Sequence, residues 1–353
     1  MKKTNFRNRK IGLALILGIM GSQLSIATSQ ANPDYTSFKE WCLAKESLPE
    51  ETRHTVQKLL QKAKTENCNE AEQKLLELTV ISFYGRDIKN ISPLQSLTHI
   101  TRLSVHKTSV KDFSILSSLT NLIFLDLENN DITDISVLQP LTNLTELRLS
   151  RNKIRDLTPL ANLKKLSILE LDHNQIEDLT SLSSLMVLRR LGLDQNQIED
   201  LTPLSSLINL DSLDLNNNQI RNLTPLAKLK NLYGLYLSSN QIKDLTPLAA
   251  LHELDTLYLD KNKISDLTPI SQLTNLGILS LYSNQIRDLT PLTSLHKLYT
   301  LSLKENQISD ITPLTNLSQL SWVDLSNNQI RDISPLYNLP NIIELISSTN
   351  NRS

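Results

Sequence analysis

Glycine is scarce in this chain, seven among 353 residues, and aromatic side chains make up only 4%. Loops that cradle phosphates, and turns that press backbone against a ligand, draw on glycine for its freedom of φ and its missing side chain. That scarcity argues against a nucleotide-loop enzyme. Neither sign of charge is in excess, with 36 basic and 37 acidic residues, so nothing points to nucleic acid or an anionic membrane as a partner. No apolar run approaches the roughly 20 residues needed to span a bilayer. What is abundant is leucine, 72 residues or about one in five.

Residues 1–31 stand apart. They carry Lys2, Lys3, Arg7, Arg9 and Lys10 with no acid, then an apolar run from Ile11 to Met20, then Ser29, Gln30 and Ala31. This order of charged, apolar and small residues is that of a secretory signal peptide, with cleavage expected after Ala31. Loss of its five cations takes the formal net charge from −1 to −6, so the exported chain is expected to be mildly acidic, secreted or periplasmic.

The leucines fall on a fixed period, the first thing to test in a chain of this composition. From Asn130, steps of 22 residues land on Asn152, Asn174, Asn196, Asn218, Asn240, Asn262, Asn284, Asn306, Asn328 and Asn350. Around each Asn runs the frame L-x-x-L-x-L-x-x-N-x-I-x-D-L-x-P-L-x-x-L, as in Leu232, Leu235, Leu237, Asn240, Ile242, Asp244, Leu245, Pro247, Leu248 and Leu251. Two earlier units, from Leu78 and Ile100, keep the apolar frame without the Asn, giving twelve full units over 78–341 and a partial one from Ile342. The L-x-L pair alternates like a short strand, and the other apolar positions must point to the same interior. One such coil cannot bury its apolar set alone; stacked coils can. The buried Asn is expected to satisfy backbone groups of its own and the neighbouring coil. Thr or Ser followed by Pro, a slot that takes nine of the 13 prolines, reads as the cap and first residue of a short helical turn, with a 3₁₀ or extended outer face.

The pattern resembles the leucine-rich repeats of the 22-residue class, most closely those of bacterial internalin-like proteins. The resemblance implies an α/β solenoid of horseshoe form, with a parallel sheet on its concave face. At about 4.8 Å between strands, thirteen strands would line an inner arc of about 60 Å.

Residues 32–77 lack the repeat. Helical spacing over Glu50 to Ala63 and Glu70 to Glu77, with Pro49 at a helix start, predicts a helical N-terminal cap over the open end of the core. Cys42 and Cys68, the two cysteines, both lie in it. In an exported protein they are expected to form a disulfide; unpaired thiols, or redox or metal ligands with His54, are the alternatives. At the other end, Ile342 to Ile346 is expected to start a thirteenth strand left without a cap, an edge through which two copies could pair.

Chemistry is hard to find. His54, His99, His106, His173, His252 and His296 fall at different repeat positions and read as solvated, and no catalytic or metal-binding spacing occurs. Asp recurs in ten of twelve units at the slot after the Ile, as a turn cap would. No enzyme activity, cofactor or metal is expected. What varies is the set of side chains flanking the strand leucines, which the resemblance places on the concave face. These are Phe124, Asp126, Glu128, Glu146, Arg148, Glu170, Asp172, Arg190, Asp194, Asp214, Asn216, Tyr236, Tyr258, Asp260, Tyr282, Lys304, Trp322 and Asp324. The first half is acidic with scattered Arg, and Tyr236, Tyr258, Tyr282 and Trp322 make a discontinuous aromatic row. Tyr and Trp offer large contact area with few rotors and a polar handle. The expectation is a non-enzymatic scaffold that holds a protein or peptide ligand there, with a cell-wall or envelope glycan as the rival.

Overall fold

A computed structural model describes residues 35–337 and 339–346. The expected leader, its cleavage after Ala31, and Asn350 lie outside these residues. From Tyr35 onward the chain forms one compact unit.

Each 22-residue step is one coil, and thirteen strands pair in parallel in the order of the sequence. They run from β1 (Val80–Tyr84) and β2 (Arg102–His106) through β3 (Phe124–Asp126) and three-residue strands to β12 (Trp322–Asp324) and β13 (Glu344–Ile346). The register equals the repeat, so Leu213 lies beside Leu191 and Leu235. From Leu103 to Leu301 every such leucine is buried, Leu345 on the last strand is half-buried, and the apolar frame residues form one continuous core.

The recurrent Asn holds the coils to one another. Asn218 lies 8% exposed. Its Nδ2 donates to the carbonyls of Leu193, Leu215 and Asn216 at 2.9–3.1 Å, while its Oδ1 accepts the N–H of Ile198 at 3.0 Å. The same set of bonds recurs from Asn130 to Asn328, and at the start of the row Thr108 donates through N–H and hydroxyl to Asn130 Oδ1. The residue before each Asn from Asn130 to Asn328, and Lys107 before Thr108, takes positive φ, 51–58°. None of these eleven is glycine: N–H bonds such as Asn129 to Ser150 O, and Arg151 to Asp172 O, hold the left-handed turn.

The outer face is made of 3₁₀ turns such as Thr158–Leu160 and Thr202–Ser206. Here the sequence reading needs correction. Thr158 is not the cap: it is the first helical residue and Pro159 the second, after Leu157. The capping side chain is the recurrent Asp, with Asp156 Oδ1 accepting the Thr158 N–H at 2.8 Å, and Thr hydroxyls such as Thr180 donate to it as well. These bonds hold the carboxyls of Asp156, Asp178 and Asp200 below the usual range, the Thr side chain contributing most.

The cap has three helices, not two: α1 (Phe38–Leu43), α2 (Glu50–Ala63) and α3 (Cys68–Leu76). The first was missed because it is only six residues long. Its signature was present, a capping box of Ser37 and Glu40, and it buries Phe38 and Trp41. The third begins two residues earlier than its apolar spacing suggested, because Asn67 caps it. Cys42 and Cys68 form the expected disulfide between α1 and α3, with Cα atoms 5.6 Å apart. His99 is not a solvated side chain. Its Nε2 lies 3.1 Å from Leu75 O and 3.0 Å from Leu78 O, so Nε2–H donates to two carbonyls at the end of the cap and ties it to the first coils.

Candidate functional site

Side chains alternate along each strand, so those between and beside the buried leucines project on the sheet face. The expected ligand residues fall into three parallel columns. Phe124, Glu146, Arg190 and Trp322 begin their strands; Asp126, Arg148, Glu170, Asp214, Tyr236, Tyr258 and Asp324 occupy the third strand position. Glu128, Asp172, Asp194, Asn216, Asp260, Tyr282 and Lys304 lie two residues further on. The structure does not gather the aromatic row into one line. Tyr236 and Tyr258 stack on neighbouring strands, centroids 5.4 Å apart and planes at 21°. Tyr282 stands one column over, and Trp322 lies on β12 in the first column.

The ring faces are largely occupied by the protein's own groups. Arg102 and Arg148 lie over Phe124, at 4.1 and 5.6 Å from its centroid. Lys261 and Lys304 lie over Tyr282, at 5.7 and 5.4 Å.

Several of the acids also serve the fold. Asp126 and Asp214 each accept a backbone N–H two residues on, at 2.9 Å, and Asp172 accepts that of Asp194 at 2.8 Å. Asp260 accepts the Tyr282 N–H and a Ser280 hydroxyl, and Asp324 accepts the N–H and hydroxyl of Ser326. At Asp126, Asp214 and Asp324 the carboxylate closes the turn leaving its own strand, and at Asp172 and Asp260 it bridges to the next coil.

Glycines in the strand columns shape the surface, and sequence reasoning passed over them. A side chain at Gly192 would collide with the carboxylates of Glu170 and Asp172, which lean into the space it leaves. Crowded there, Glu170 is pushed up to about 7, first by burial and then by Asp172, and Asp214 to about 6, by burial with Asp194 and Asp172 adding to it. Asp172 is raised too, chiefly by burial. Two strands on, Gly234 opens a depression of about 450 Å³ bordered by Arg190, Asp211, Tyr233 and Tyr236. A side chain at Gly277 would strike the Tyr299 ring and approach Asp255. Tyr233 and Tyr299, one residue before their strands and 58% and 41% exposed, enlarge the tyrosine surface beyond the four aromatics chosen from sequence. The available signal was a lone glycine in a strand column of a glycine-poor chain.

The histidines are not uniformly solvated either. His173 Nδ1 lies 3.7 Å from Asp194, and His106 Nδ1 lies 3.7 Å from Asp126 and 3.9 Å from Glu128.

Comparison with known proteins agrees with this architecture. The family model described as Leucine Rich repeats (2 copies) matches residues 120–162, 142–184, 187–228, 230–272 and 274–316. The search of curated proteins returned no match. Among solved structures, an internalin (inlF) from Listeria monocytogenes is 32% identical, with 83% of this chain and 94% of that one covered and a TM-score of 0.73. A leucine-rich repeat protein of Leptospira interrogans is 24% identical, covering 78% and 80% at a TM-score of 0.68. The ectodomain of the plant receptor kinase GASSHO1/SCHENGEN3 from Arabidopsis thaliana, in complex with CASPARIAN STRIP INTEGRITY FACTOR 2, is 20% identical, covering 78% and 39% at a TM-score of 0.64. With more than half of its residues inside matched repeats and this likeness to an internalin over most of both chains, the chain belongs to the leucine-rich repeat family as an internalin-like member.

Proposed function

We propose that this protein is an exported, non-enzymatic scaffold that binds a protein or peptide ligand on its sheet face. The observation that carries the reading is the surface around Gly234. A stacked tyrosine pair, a further exposed tyrosine and a depression lie beside incompletely neutralised carboxylates on a rigid sheet. Rigid aromatic anchors beside charged groups are what a protein interface needs, since little side-chain entropy remains to be lost on binding. A plant receptor ectodomain of the same fold is seen in complex with CASPARIAN STRIP INTEGRITY FACTOR 2. Export is supported by the Cys42–Cys68 disulfide, a bond that persists in oxidising compartments, together with the expected leader.

A glycan ligand is the weaker reading. Sugars stack on open ring faces, and here Phe124 and Tyr282 have cations over them while Tyr236 and Tyr258 turn a face on each other.

The test is selection of displayed peptides on the immobilised mature chain, followed by affinity measurement on the Tyr236→Ala/Tyr258→Ala double variant. Loss of hot-spot anchors is expected to weaken the selected peptides by about tenfold or more. Equal affinity in a folded double variant would sink the reading, and saturable binding of soluble wall glycan without peptide binding would replace it.

A further inference from the structure

Near the N-terminal end of the sheet, three side chains from adjoining coils converge in a way the repeat does not require. His106 ends β2, Asp126 ends β3, and Glu128 follows two residues later. One ligand atom from each, a ring nitrogen and two carboxylate oxygens, lies within 4.8 Å of the others.

These spacings are too long for hydrogen bonds: His106 Nδ1 is 3.7 Å from Asp126 Oδ2 and 3.9 Å from Glu128 Oε2. They are close to what ligands of one ion require. Donors about 2.0–2.1 Å from a tetrahedral centre stand about 3.3 Å from each other, so each carboxylate need close on the His106 nitrogen by only about half an ångström to share an ion with it.

The three groups are also held in place from behind, as the ligands of a metal are. Asp126 Oδ2 accepts the Ser104 hydroxyl at 2.9 Å and its Oδ1 accepts the Glu128 N–H at 2.9 Å. The His106 ring stacks on Tyr84, centroids 5.5 Å apart and planes at 24°. Arg151 Nε lies 3.7 Å from Glu128 Oε1, the oxygen that is not directed at His106.

We propose that His106, Asp126 and Glu128 bind a first-row divalent cation of the zinc type, with its remaining positions open to solvent on the sheet face. The imidazole nitrogen decides the class of ion, because Ca²⁺ and Mg²⁺ take oxygen donors while imidazole suits zinc and its neighbours. The two carboxylates balance the charge of the ion. The open positions take water, or a donor atom from a ligand lying along the sheet. This site is independent of the peptide reading and stands or falls without it.

The experiment is calorimetric titration of the chelator-stripped mature chain with zinc chloride near neutral pH, repeated with Co²⁺ to read its visible absorption. One saturable site is expected, with bound Co²⁺ showing the intense absorption of a low-coordinate site. His106→Ala and Asp126→Asn are expected to weaken zinc by about tenfold or more. His173→Ala, which removes an imidazole facing one carboxylate on the same sheet, is expected to leave binding unchanged. Circular dichroism confirms that each variant is folded. Absence of a saturable site, or equal loss in the His106 and His173 variants, would overturn the assignment.

Discussion

The Asn at the turn of each coil shows how much one side chain can carry. Asn218 offers two donors and an acceptor to buried backbone groups of its own coil and the one before it. Asn218→Ala strands at least one N–H and several carbonyls, each costing about 1–3 kcal/mol when buried and unpaired. A loss of about 3 kcal/mol or more is therefore expected in urea unfolding, and a loss under about 1 kcal/mol would show that water replaces the amide. Glu170 and Asp214 act in the opposite sense. Burial and neighbouring acids push these carboxyls up to about 7 and about 6 in the folded state, from ordinary values of 4.5 and 3.8. The folded chain then binds more protons than the unfolded one between those limits, so stability falls as pH rises from about 4 through 7. The melting temperature should therefore be higher at pH 5 than at pH 8. Glu170→Gln and Asp214→Asn should remove most of that slope and raise the melting temperature at pH 8. A slope unchanged in the double variant would place its origin elsewhere.

At the scale of elements, the cap was legible in its long parts and hidden in its short one. The spacing over Glu50 to Ala63 matched α2 to the residue, since four turns of apolar periodicity outweigh local noise. The six residues of α1 supply fewer than two turns, so burial of Phe38 and Trp41 against the rest of the cap, together with the capping box and the disulfide, stabilises what local propensity cannot. The disulfide joins α1 to α3 across a separation of 26 residues. In the chain-entropy estimate such a loop contributes about 3 kcal/mol. Replacing both Cys42 and Cys68 with Ser is expected to loosen the cap by about that amount and to quicken hydrogen exchange in α1 and β1 before later coils. Uniform exchange along the whole array would count against a local role. The 3₁₀ turns teach a related lesson. Their location could be read from Thr-Pro and their capping Asp from its recurrence, but Thr158 and its equivalents, read as caps as well, are the first residues of the turns.

Across the described array, each coil packs chiefly against its neighbours, with long side chains such as Arg86 reaching one coil further, so stability is close to a sum of coil and interface contributions. Leu213→Ala, in the middle of the array and fully buried, is expected to cost about 2–5 kcal/mol. It should also divide unfolding in two, because the coils nearer the disulfide-bonded cap keep their support when the central one fails. Hydrogen exchange by mass spectrometry is expected to show coils around Leu213 opening first, and a single cooperative loss everywhere would contradict nearest-neighbour coupling. The sequence alone determined the period, the buried leucines, the Asn row and the Asp caps, while the parallel order came from the resemblance to leucine-rich repeats. The features read from sequence alone follow from what a single 22-residue coil must bury and satisfy, and the same demand repeats in every coil. What only the tertiary structure decided is which variable side chains meet across coils. Glu170 and Asp172 crowd over Gly192, Tyr236 stacks on Tyr258, and His106 faces Asp126 and Glu128. Those meetings depend on the direction each side chain takes from its strand and on the gaps its neighbours leave, and a repeat frame fixes the columns without fixing either.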